Sequence, residues 1–206
     1  MKALKIIRRT SWAAVGIIGF LALAVSVGWL HDKVTTSSQE LSPMYGVGGT
    51  FVAKDHHGKA FTEKNILGKP TLMFFGFTSC PNICPTTLSE LTNLLEKLGK
   101  DASKLNVVFV SVDPERDTTK QMSDYLTVFD KRIIGLTLTE DDLADMSKKY
   151  RFYYKRVPLE GKDYTMDHTA GVYMLEPDGK MRGIIDLHES EKVKMDKVNM
   201  LLGKRT

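Results

Sequence analysis

Residues 70–86 read Pro70-Thr71-Leu72-Met73-Phe74-Phe75-Gly76-Phe77-Thr78-Ser79-Cys80-Pro81-Asn82-Ile83-Cys84-Pro85-Thr86. The largely apolar run Thr71–Phe77 suits a strand buried on both faces. Thr78 to Pro85 reads as a loop, and it carries the only two cysteines of the chain. A helix follows. Thr87 and Glu90 have the spacing of a capping box, Leu88, Leu91, Leu94, Leu95 and Leu98 share one face, and Gly99 ends it.

The pattern extends in both directions. Upstream, Thr50-Phe51-Val52 and Ala60-Phe61 flank the turn Lys54–Lys59 and suggest a hairpin. Downstream, 106–112 (NVVFVSV) is a second buried strand, and Asp117 is placed to cap a helix carrying Met122, Tyr125, Leu126 and Phe129. Residues 132–138 are a third strand. Thr139 with Asp142 opens a helix carrying Leu143, Met146 and Tyr150. Residues 168–175 and 181–187 read as two strands around a turn at Glu176-Pro177-Asp178-Gly179. Val193, Val198, Leu201 and Leu202 support a last helix. The order predicts an α/β fold, a mixed sheet flanked by helices. A buried strand, a cysteine loop and then a helix is also the local arrangement of thioredoxin-like domains.

The charge has an address. The 206 residues hold 29 Lys plus Arg and 25 Asp plus Glu, a net charge of +4. Lys2, Lys5, Arg8 and Arg9 supply all of that excess, so residues 31–206 carry 25 charges of each sign. A basic nucleic-acid-binding domain is therefore not expected. A composition of 42% apolar and 26% charged residues also excludes a disordered chain and a polytopic membrane protein. From Trp12 to Leu30 there is no charge, and such a helix would be about 28 Å long, close to the hydrocarbon thickness. Trp12 and Trp29 sit at its ends, and the cations precede it. The expected organisation is a cytoplasmic basic tail (1–11), one N-terminal transmembrane helix (12–30), a polar tether (31–46) and an exported domain (47–206). The short tail favours a bacterial plasma membrane over a mitochondrial presequence, with the domain facing the periplasm or exterior.

Three readings of the cysteines compete. A disulfide across so short a loop would constrain little unfolded-chain entropy. A catalytic dithiol would profit from the helix N-terminus, although the redox spacing is usually C-x-x-C and here one residue more intervenes. A soft-metal site would need a third ligand. Five histidines could supply it. His31 lies in the tether, His56 and His57 in a polar turn where solvation is the ordinary state, and His188 near the start of the last helix. His168 opens an apolar run beside Asp167, a carboxylate able to orient it by hydrogen bonding.

Residues 74–86 resemble the C-x-x-x-C-P signature of the Sco/SenC family. Val110-Ser111-Val112-Asp113-Pro114-Glu115-Arg116-Asp117 resembles that family's S-x-D-P-x-x-D segment, and Asp167-His168-Thr169 its D-H-[ST] segment. The resemblance covers roughly residues 45–203. It implies a membrane-tethered, thioredoxin-like copper-binding domain that assists assembly of the copper centre of cytochrome c oxidase. It implies Cys80, Cys84 and His168 as ligands to Cu(I) or Cu(II). The same two cysteines could form a redox disulfide that excludes the metal, so thiol–disulfide exchange on the target is the alternative activity. The implied partners are the copper-bearing oxidase subunit, a copper donor and a thiol reductant such as a thioredoxin-like protein. Asp113 reads either as a turn residue before Pro114 or as a carboxylate supporting the site or docking a partner.

Overall fold

The computed structural model describes residues 46–161 and 163–204. The expected tail, anchor and nearly all of the tether lie outside those residues. Among the described residues no helix is long and apolar enough to cross a membrane.

A seven-stranded mixed sheet organises the domain, with spatial order β2-β1-β5-β4-β3-β8-β9. β1 (Val52–Asp55) and β2 (Ala60–Thr62) form the expected hairpin. β3 (Thr71–Gly76), β4 (Asn106–Ser111) and β5 (Ile133–Thr137) are parallel neighbours, joined through α1 (Ile83–Leu98) and α2 (Thr119–Leu126). α3 (Glu140–Tyr150) follows, then β6 (Tyr154–Pro158) and β7 (Tyr164–His168). β8 (Val172–Leu175), β9 (Met181–Ile185) and α4 (Glu191–Leu201) complete the chain order.

All six residues of β3 are buried, as its apolar run requires of a central strand. Phe74 stacks on Phe109 of β4, with ring centroids 5.8 Å apart, and Phe109 in turn meets Tyr125 of α2. On the opposite face Phe75 stacks on Phe152 at 3.8 Å and meets Tyr150 of α3 edge-on. Phe–Phe pairs at these spacings add about 0.5–1.5 kcal/mol beyond the area they bury. α4 is tied to α1 by Lys194 and Glu90, 2.6 Å apart.

Four local readings need correction. First, α1 begins one turn earlier than the Thr87/Glu90 pattern implies, so Cys84 belongs to the helix. Pro85 fits the first turn because amides there have no intrahelical acceptor. The Thr87 hydroxyl donates back to the Ile83 carbonyl at 2.8 Å instead of capping. Second, Asp117 caps nothing. Thr118 is the N-cap of α2, accepting from the Gln121 amide, while Asp117 is buried among other partners.

Third, 168–175 is not one strand. β7 ends at His168 and pairs only with β6, forming a separate two-stranded sheet, and β8 begins at Val172. Fourth, His56 is not simply solvated. Where β1 ends, its Nδ1 accepts the next edge donor, the Gly135 amide, at 3.1 Å. Burial, and then the neighbouring His57, lower its pKa.

Candidate metal centre

The centre forms where the edge of the parallel strands meets the β6–β7 hairpin. Cys84 is fully buried and Cys80 is half-buried, and both are free thiols. Cys84 reaches its place because β3 ends in glycine. A Cβ on Gly76 would lie 2.6 Å from the Cys84 sulfur and 2.8 Å from the Phe109 ring. The Cys84 amide, in the first turn of α1, donates to Cys80 Sγ at 3.5 Å. The helix N-terminus thus points a donor at the more exposed sulfur.

Each cysteine moves the other's proton affinity. The Cys84 thiol donates to Cys80, and that contact first of all takes the Cys80 pKa down to about 4. The Cys80 thiolate beside it, together with burial, pushes Cys84 up. The coupling therefore favours negative charge on the accessible Cys80 sulfur over the buried Cys84 one.

His168 comes from the other side. Its Nε2 lies 3.8 Å from Cys84 Sγ. Its Nδ1 is 3.1 Å from the Thr169 carbonyl, to which it donates, leaving the Nε2 lone pair free toward the sulfurs. Phe74 and Phe77 meet the imidazole edge-on at 6.2 and 5.8 Å. The two sulfurs and one imidazole nitrogen lie within 4.8 Å of one another. Among the described residues no other group of three such side chains converges in this way.

This donor set fits a soft, low-coordinate ion. Two thiolates and one imidazole match Cu(I), and the nitrogen extends the set to Cu(II). A structural zinc site would require a fourth ligand.

The two aspartates named with the site behave differently. Asp167 does not orient His168. It is exposed, on the opposite face of β7, and a backbone carbonyl does the orienting instead. Asp113 is buried; it accepts from the Tyr164 hydroxyl at 2.8 Å and pairs with Arg116.

Sequence reasoning missed Asp117 as a part of the site's frame. It accepts the Thr78 amide at 3.1 Å, the Thr78 hydroxyl at 2.7 Å and the Ser111 hydroxyl at 2.6 Å. Burial raises its pKa, and these donors oppose the rise. It also missed the β6–β7 hairpin, although Tyr154–Pro158 and Tyr164–His168 flank a polar turn containing Gly161, which is a hairpin signal.

The family model described as SCO1/SenC matches residues 39–203. The chain belongs to this family. Among SCO1/SenC relatives, the yeast mitochondrial protein SCO1 (Saccharomyces cerevisiae) is 37% identical over 190 residues, 87% of this chain and 64% of its own length. An SCO2-like protein of Rickettsia conorii is 33% identical over 194 residues, 88% of this chain and 94% of its own. The chain thus spans less than two thirds of the yeast relative and nearly all of the rickettsial one. Among solved structures, Bradyrhizobium japonicum ScoI with copper bound aligns at a TM-score of 0.71 with 43% identity, covering 75% of this chain and 99% of that one. Yeast Sco1 with copper bound aligns at 0.71 with 36% identity, covering 78% and 91%.

Proposed function

We propose that this chain is a copper-transfer protein, holding one copper ion between Cys80, Cys84 and His168 and delivering it to the copper-bearing subunit of cytochrome c oxidase during assembly. The observation that carries the reading is the convergence of two sulfurs and a correctly oriented imidazole nitrogen within 4.8 Å. The copper-bound structures of relatives support it. Copper is cargo here, so the protein needs no catalytic turnover. Cys80 and His168 are half-buried, so a partner's thiol or imidazole can approach the ion and replace the ligands stepwise. Oxidation of the two thiols to a disulfide removes two electrons and two protons and leaves no thiolate for the metal, so delivery in an oxidising exterior depends on a reducing partner. Residues 12–30 would anchor the protein in a bacterial plasma membrane, tail inside and domain outside.

A second reading has one observation in its favour. The depressed Cys80 pKa is what an attacking thiolate needs, so reduction of the target's cysteines could precede or accompany delivery.

Copper quantitation on the full chain in detergent, under reducing conditions, separates the two. Wild type should retain one copper per chain, Cys80→Ser and Cys84→Ser should lose it, and His168→Ala should keep Cu(I) but hold Cu(II), titrated separately, more weakly. Catalytic reduction of a disulfide substrate without copper, unaffected by His168→Ala, would favour the second reading.

A further inference from the structure

The hairpin that supplies His168 shares no ladder with the main sheet, and most of its residues are exposed or only half-buried. Tyr164, at the start of β7, is the buried exception. Its ring lies between two guanidinium groups, 3.7 Å from Arg116 Cζ and 3.5 Å from Arg156 Cζ. Its hydroxyl donates to Asp113, and its carbonyl accepts from Arg116 Nη1 at 2.9 Å. Arg156 pairs with Glu115 at 2.8 Å. The segment 113–117 therefore grips the hairpin with Asp113, Glu115 and Arg116, and the cysteine loop with Asp117. Arg116 also lies 5.7 Å from the centre of the Phe77 ring, the ring that meets His168 edge-on.

Strand geometry carries the grip to the ligand. Residues i, i+2 and i+4 share a face, so Tyr164, Met166 and His168 are aligned on β7, with about 13 Å between the first and the last. Met166 packs against the core between them.

We propose that Tyr164, clasped between Arg116 and Arg156, is a positioning residue that sets the β7 strand so that His168 Nε2 reaches the two sulfurs, and thereby gives the site its capacity for Cu(II). This rests on the copper reading above. Two thiolates suffice for Cu(I), whereas Cu(II) gains most from the added nitrogen.

The test titrates the reduced full chain with Cu(II) and, separately, with Cu(I) against a competing chelator. Tyr164→Leu should lower Cu(II) affinity about 10- to 100-fold, the usual effect of removing a ligand's support. It should also abolish imidazole nitrogen coupling in the Cu(II) electron paramagnetic resonance spectrum. Cu(I) affinity should stay within about threefold, because both thiolates remain. Tyr164→Leu combined with His168→Ala should bind Cu(II) no more weakly than His168→Ala alone, since both remove the same interaction. Unchanged nitrogen coupling in Tyr164→Leu, or losses that multiply in the double variant, would overturn the clasp. Should Tyr164→Leu fail to fold, Arg156→Met opens the exposed side of the clasp. A smaller loss of Cu(II) affinity is then expected, and no loss overturns the proposal. If His168→Ala binds Cu(II) like wild type, the copper reading falls and the clasp with it. If His168→Ala is weakened and Tyr164→Leu is not, only the clasp falls.

Discussion

The two arms of the metal centre are built on opposite principles. The cysteine arm grows out of β3, a strand with no exposed residue, and runs through the short loop 77–82, which carries Cys80, into α1, whose first turn is packed against Gly76. The histidine arm is a ribbon of two short strands outside the main sheet, secured by a few named contacts. The thiolates are thus placed by the domain's core, and the imidazole by a bracket. Disturbing the first should damage the fold and metal binding together, whereas disturbing the second should change the ligand set within an intact domain.

The strongest way to break this contrast is Gly76→Val. Its Cβ alone would enter the space of Cys84 Sγ and the Phe109 ring, so a cost of about 3 kcal/mol or more is expected from overpacking. Urea unfolding should show the loss, and copper of either valence should bind poorly. A stable variant that kept normal binding would mean that the cysteine arm is as adjustable as the hairpin.

Asp117→Ala sharpens the contrast. It strands the buried Thr78 amide and removes the acceptor for two hydroxyls, at a cost of about 1–3 kcal/mol. Hydrogen exchange at Thr78 should accelerate, while the Tyr164–Asp113 contact on the hairpin side persists. Faster exchange across β6–β7 as well would show that the segment 113–117 transmits disorder between the arms.

The smallest effect belongs to a site remote in kind from both. His56 has a lowered pKa and accepts the Gly135 amide through Nδ1, which only the neutral ring can do. On acidification the unfolded chain takes up the proton first. Stability should therefore be complete above the ordinary histidine pKa of about 6.5 and decline as pH falls below it toward the lower folded value. Thermal melts between about pH 7 and pH 5 should show a slope that His56→Leu reduces.

How much of this could be read from the chain differs by element. The β3 strand, the leucine face of α1 and the Thr139 cap are legible because each signal lies within a dozen residues. The β6–β7 hairpin is harder to see because its strands are polar and make no run. Asp117 sits just before a helix, where a local reading makes it a cap. Its actual partner, Thr78, is 39 residues away, and no periodicity encodes that pairing. The same limit explains Asp167. Adjacent residues on a strand face opposite ways, so sequence proximity to His168 becomes spatial separation once β7 forms.

Sequence alone determined the candidate donors, named through the family motifs they resemble, the main alternation of strands and helices apart from the β6–β7 hairpin, and the placement of all the excess charge in the first nine residues. Donor chemistry and apolar period are properties of the residues themselves. Only the tertiary structure decided that His168 arrives on a separate ribbon, that Thr169 rather than Asp167 orients it, and that one short segment holds both arms. Those facts depend on contacts between parts of the chain far apart in order, which exist only after the sheet has closed around its core.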